Sequence, residues 1–179
     1  MYFRRDTGYC AGALMVFARK LATDLGRGQV VTIGRIEFQP NIINVVSGGA
    51  KLTVDLRNAD KDVLAEAERR LDECLQELAV PESVKVSTRR LVRFDPVRFD
   101  LGLVEKIEHH AQAKGYACRR MTSGAGHDAQ MIARICPTAM IFTPSIGGIS
   151  HNPDEATAPK DLMAGAEVLF GVMMELANE

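Results

Sequence analysis

This sequence of 179 residues has no closely spaced cysteine pair, no dominant charge of one sign and no long apolar run. Each absence removes a class of function. The four cysteines, Cys10, Cys74, Cys118 and Cys136, lie far apart without a C-x-x-C pair. They read as small buried hydrophobes in a reducing compartment, not as a disulfide or zinc framework. With 22 Lys and Arg against 23 Asp and Glu, the net charge is −1. That balance excludes the electrostatic footprint of a nucleic-acid or membrane-surface binder. No apolar run approaches the roughly 18 residues that span a bilayer. The opening Met1-Tyr-Phe-Arg-Arg-Asp6 carries charge and no signal-peptide core, which predicts a cytoplasmic protein. Also missing are a Ser-His-Asp order, a nucleophile elbow and a P-loop lysine. What remains is 46% hydrophobic and 25% charged, the balance of a globular chain with one domain, or one small domain and part of another.

Apolar spacing orders the elements. Ala13, Leu14, Phe17, Ala18, Leu21 and Leu25 predict a helix over residues 6–25, stopped by Gly26 and Gly28. Residues 30–38 read as a strand closed by Pro40, and Leu52, Val54 and Leu56 alternate with polar residues in a second. A helix over residues 60–79 follows, with Val63, Leu64, Ala67, Leu71, Cys74, Leu75 and Leu78 on one stripe. Residues 84–92 alternate again and predict a third strand. Helix, strand, strand, helix, strand is the order of a ferredoxin-like βαββαβ domain without its first strand.

Arg93-Phe-Asp-Pro-Val-Arg-Phe-Asp100 reads as a crossing between domains, giving a first domain over residues 1–95 and a second over 96–179. The second is predicted to alternate helices with strands near Ala117 and over residues 139–142. It ends in a helix carrying Leu162, Ala166, Leu169, Phe170 and Met173 on one face. This is the pattern of the last strands of a mixed or parallel α/β sheet.

Candidate chemistry sits in four places. His109 and His110 lie beside Glu105 and Glu108 and read as a solvated helix face. His127 closes Ser123-Gly-Ala-Gly-His-Asp128, a strand-to-helix turn. Its glycines either serve packing or let backbone N–H groups meet a carboxylate or oxyanion, with His127 as a polar donor. His151 lies in Gly147-Gly-Ile-Ser-His-Asn-Pro-Asp-Glu155, a loop after a buried strand. Such loops hold α/β sites, and a neutral imidazole there suits zinc or manganese, although one histidine does not make a metal site. Arg57, on a polar strand face beside Asp55, is either an intrachain ion pair or a fork for a ligand carboxylate.

Three ordered motifs carry a resemblance over nearly the whole chain. Pro40-Asn-Ile-Ile-Asn-Val-Val-Ser-Gly-Gly-Ala-Lys-Leu-Thr-Val-Asp-Leu-Arg57 resembles the dimerisation-domain signature of aminoacylase-type binuclear metallohydrolases. Ser123-Gly-Ala-Gly-His-Asp-Ala129 and Met140-Ile-Phe-Thr-Pro-Ser-Ile-Gly-Gly-Ile-Ser-His-Asn-Pro-Asp-Glu155 resemble one branch. It contains the N-carbamoyl-L-amino-acid hydrolases, allantoate amidohydrolases, ureidoglycolate amidohydrolases and β-ureidopropionases.

The resemblance implies a homodimer acting on a small ureido or carbamoyl carboxylate, with two zinc or manganese ions. It implies that Asn44 and Arg57 hold the substrate carboxylate, that Gly126 and His127 contact substrate, and that His151 is the last metal ligand. It further implies a preceding segment with a His-x-Asp motif, a Glu-Glu pair, other ligands and the general base. Met1 matches the methionine of a Pro-Met-x-x-Arg-x-Asp motif, so the chain is expected to be a C-terminal portion that does not retain the two metal ions and is inactive alone. The competing readings are a non-catalytic dimerisation module and one half of a split enzyme.

Overall fold

The structure is a computed structural model that describes residues 3–179. Met1 and Tyr2, on which the truncated-motif reading rests, lie outside the described residues. The chain divides into two compact units between Pro96 and Val97.

The first unit begins with helix α1 (Thr7–Leu25), capped by Asp6, whose carboxylate accepts the Tyr9 N–H at 3.0 Å. Ala11, Leu14, Ala18 and Leu21 form its buried stripe and recur at helical spacing. Gly26 stops it at φ 56, a conformation that side chains disfavour. Strands β1 (Val30–Gln39) and β2 (Gly49–Arg57) form one antiparallel hairpin, with Val30 opposite Arg57 and Gln39 opposite Gly49. An irregularity between Thr32 and Arg35 shifts the register there. Helix α2 (Lys61–Ala79) starts at Asp60, whose carboxylate accepts from the Asp62 and Val63 N–H groups.

Both helices pack on the hairpin and on each other, and side-chain hydrogen bonds tie the start of α1 to the β1–β2 turn and the segment after β2 to the one before β1. Thr7 donates to the Ser47 carbonyl oxygen at 2.9 Å, and Asn58 donates to buried Gln29 at 3.2 Å. On the outer face of α2, hydrogen bonds from Arg69 and Arg70 hold the Glu66 carboxyl down to about 2. This exposed network organises charge and adds little stability.

The expected third strand is corrected. Residues 84–92 form no ladder among the described residues, and Val86, Leu91 and Val92 are exposed. Alternation selects an extended chain, but a strand also needs a partner edge. The first unit is therefore a two-stranded sheet with helices.

The second unit contains α3 (Leu101–Ala113), the single turn α4 (Ala129–Ile132), a 3-10 turn (Ile146–Gly148) and α5 (Pro159–Leu176). The strands expected near Ala117 and over residues 139–142 are likewise absent as ladders among the described residues. The expected parallel sheet does not form within this unit.

Helices α3 and α5 pack together with a polar seam between them. His110 Nε2 lies 2.7 Å from a Glu175 oxygen, and Lys106 bonds both Glu175 and Glu179. Lys106, then His110, hold the Glu175 carboxyl below its ordinary range. Tyr116 donates to Glu167 at 2.8 Å. His110 is thus a packed interhelical group, not the solvated residue expected. The contact joins positions 65 residues apart, beyond the reach of local pattern.

The large apolar residues of α5 lie outside its buried stripe. Val168 and Val172 are buried, while Leu162, Ala166, Leu169, Phe170 and Met173 are exposed. Glycines explain the choice. A Cβ at Gly165 would lie 2.6 Å from Thr143 Cγ2, and one at Gly171 would lie 2.6 Å from His110 Nδ1. The helix approaches its neighbours on its small side and leaves its large residues outward. Cys118 and Cys136 are exposed and Cys74 buried, so the buried-thiol expectation holds for only part of the set.

Candidate functional site

In the hairpin, the pleat places Asp55 and Arg57 on one face at the end of β2. Arg57 Nε donates to both Asp55 oxygens at 3.0 and 3.1 Å, and Nη2 donates to Oδ2 at 2.7 Å. These bonds hold the Asp55 carboxyl below its ordinary range and push the Arg57 guanidinium up. Both side chains remain about half exposed, at 49% and 47%. The pair contributes little stability, but it fixes the plane of the guanidinium through its Nε–Nη2 edge. The two sequence readings of Arg57 are therefore compatible. An ion pair exists, and it orients a fork.

Asn44 is exposed in the turn between β1 and β2. Arg57 lies opposite Val30, at the other end of the same hairpin. The span from Gly49 to Arg57 covers eight strand steps, about 26 Å. One chain does not bring these two residues together.

The second unit holds the other candidates on loops. In the Ser123-to-Asp128 turn, Ser123 Oγ accepts the Ala125 N–H at 3.3 Å. The helix that follows is a single turn, so the expected dipole for an anion is not available. The side chain of its N-cap, Asp128, makes no cap hydrogen bond. Instead, the Ala129 N–H donates to His127 Nδ1 at 3.0 Å. A backbone N–H can only donate, so Nδ1 is the unprotonated nitrogen and the neutral ring carries its hydrogen on Nε2. His127 is thereby a donor. Beside it, a Cβ at Gly126 would meet only Gln130 Oε1, at 3.9 Å.

His151 adopts φ 56, a left-handed backbone uncommon outside glycine. Its N–H donates to Glu155 Oε2 at 2.7 Å, and its Nδ1 lies 2.9 Å from Ser150 Oγ. Glu155 is one of the carboxylates that follow His151 in the loop sequence, whereas Ser150 was not singled out by sequence pattern.

Among the described residues, no group of three or more His, Cys, Asp or Glu side chains is placed to hold a metal ion. The residues present do not fit a complete metal centre. His151 supplies one donor and no converging set.

Comparison with known proteins supplies the class. The chain is 34% identical over 178 residues to an N-carbamoyl-L-amino-acid amidohydrolase of Rhizobium meliloti, covering 99% of this chain and 43% of that protein. It is 35% identical over 177 residues to an allantoate amidohydrolase of Escherichia coli K12, with the same coverage. The crystal structure of a hydantoinase/carbamoylase-family amidase from Burkholderia vietnamiensis superposes with a TM-score of 0.94 at 34% identity. That match covers 98% of this chain and 43% of the other. These relatives are amidohydrolases, and the chain matches a C-terminal portion of them, spanning less than half their length. The chain belongs to peptidase family M20/M25/M40, whose model matches residues 7–175.

Proposed function

We propose that this chain supplies the substrate-holding side of an amidohydrolase acting on small ureido or carbamoyl carboxylates such as N-carbamoyl-L-amino acids or allantoate. The observation that carries the reading is the pair of preset polar groups, the Asp55-oriented fork of Arg57 and the Nε2–H of His127. The first suits a carboxylate, gripped by two parallel hydrogen bonds. The second suits a carbonyl oxygen on which charge develops. Gly126 provides the close approach beside His127.

His151 is proposed as one ligand of a zinc or manganese pair whose other ligands, with the general base, lie outside this chain. The first unit is proposed as a ferredoxin-like dimerisation lid and the second as the C-terminal segment of the catalytic domain. The hairpin geometry also favours a homodimer. Asn44 and Arg57 stand at opposite ends of one hairpin, so both serve a single carboxylate when they come from two copies. A second reading, a dimerisation module without catalysis, draws support from the open edges of a two-stranded sheet.

The test is a titration of the 15N-labelled chain with allantoate and N-carbamoyl-L-amino acids. Saturable shifts are expected at Arg57 Nε–Hε and His127, with amide analogues lacking the carboxylate leaving Arg57 unmoved. Arg57→Ala should abolish the response and Arg57→Lys should weaken it, because a point charge does not reproduce the fork. Wild-type signals that stay still at saturating ligand would contradict the proposal.

A further inference from the structure

His127 offers a substrate one kind of bond. With Nδ1 accepting the Ala129 N–H at 3.0 Å, the Nε2–H of the neutral ring can only donate. A carbamoyl group and an acetyl group present the same carbonyl oxygen to such a donor, so His127 does not tell them apart. They differ at the terminal position, –NH2 in the first and –CH3 in the second. Discrimination between them needs an acceptor for the –NH2 hydrogens, left without a partner by the analogue that lacks them.

The same turn carries one. The Gln130 N–H donates to the His127 carbonyl oxygen at 2.9 Å, so residue 130 belongs to the turn that His127 opens. At Gly126 the atom that an added Cβ would meet is Gln130 Oε1, at 3.9 Å. The carboxamide therefore stands on the side of the turn that the glycine leaves bare. Gln130 is half-buried, yet its carboxamide has no hydrogen-bond partner among the described residues. Every buried side-chain nitrogen and oxygen among them has a partner, so this unpartnered group is open to solvent and is completed by water or a ligand. The other acceptor nearby is the Asp128 carboxylate, which is exposed and makes no cap hydrogen bond. Its charge would repel the carboxylate of the ligand, whereas a carboxamide accepts without charge.

We propose that Gln130 is a specificity-determining residue for carbamoyl and ureido ligands, its carboxamide oxygen accepting from the terminal –NH2 while the His127 Nε2–H donates to the carbonyl oxygen. The turn thereby reads both ends of the group, and an acetyl or other simple amide satisfies only the His127 half. The inference rests on the reading of His127 as a substrate contact and adds the group that chooses among amides.

The experiment titrates the full 15N-labelled chain with N-carbamoyl-L-alanine and, separately, with N-acetyl-L-alanine. His127 should respond to both ligands, and the carbamoyl ligand should bind about three- to tenfold more tightly, the net worth of one hydrogen bond. Gln130→Ala should remove that preference by weakening the carbamoyl ligand alone. Gln130→Glu adds a charge and should weaken both ligands, but it keeps the acceptor and should still favour the carbamoyl one. Asp128→Asn should leave the ratio unchanged. Backbone amide signals report that each variant is folded, and a ratio of affinities is insensitive to a general loosening of the turn. Equal binding of the two ligands to the wild-type chain overturns the inference, as does a preference that survives Gln130→Ala or is lost in Asp128→Asn. If His127 responds to both ligands in those cases, its role as a substrate contact stands without Gln130. A His127 that responds to neither ligand at saturation contradicts that role and the inference with it.

Discussion

Leu14→Ala is expected to lower the stability of the first unit by about 2–5 kcal/mol. Leu14 is only 2% exposed and lies in the middle of the buried stripe of α1. That stripe packs on both α2 and the hairpin. Truncation removes the transfer free energy of the lost methyl groups and leaves a cavity that the flanking residues Ala11 and Ala18 are too small to fill. The unit has few large buried side chains, with Leu14, Leu21, Val63 and Leu64 as its main apolar anchors, so one deletion is a large fraction of its core. Urea denaturation followed by circular dichroism checks the prediction. Gln76→Ala, at an exposed position of α2, should change stability by no more than about 0.5 kcal/mol. Equal effects at the two sites would mean that α1 does not pack on the hairpin as described.

The second large effect belongs to Gly171→Ala, expected to cost the second unit about 1–3 kcal/mol through overpacking. The added Cβ would lie 2.6 Å from His110 Nδ1 and 3.1 Å from its Cε1. Withdrawal of the ring is opposed by its contact with Glu175 at 2.7 Å. A double-mutant cycle isolates the cause. His110→Ala removes the obstacle, so Gly171→Ala should cost little in that background. A Gly171→Ala penalty that persists without the His110 ring would show that the glycine serves backbone conformation, not close approach.

Local pattern was enough for the two helices and the hairpin of the first unit. The stripes of α1 and α2, the hairpin between them and the stop at Gly26 all follow from period and turn chemistry. The resemblance carried by three motifs located the family. What local pattern missed is non-local in each case. Residues 84–92 alternate like a strand, yet pairing depends on a partner edge that alternation does not encode. The seam of His110 with Glu175 joins distant positions, and helical charge pattern alone made His110 look solvated. On α5 the sequence showed that the large apolar residues share a face, but not that Gly165 and Gly171 decide which side approaches Thr143 and α3. At the candidate site, the motif gave His127 and His151 their positions but not the partners of their ring nitrogens. Those partners, the Ala129 N–H and the Ser150 hydroxyl, are a property of the folded loops. Asn44 and Arg57 show the same limit. Their shared role was inferred from a continuous motif, and only the register of the hairpin shows that they stand at opposite ends.

The most direct test of the central claim is a hydrolysis assay of the purified chain, with zinc or manganese, against allantoate and several N-carbamoyl-L-amino acids. The chain is expected to release product no faster than the blank, because no group of three or more His, Cys, Asp or Glu side chains is placed to hold a metal ion among the described residues. Turnover above the blank that a chelator abolishes and metal restores would contradict the account.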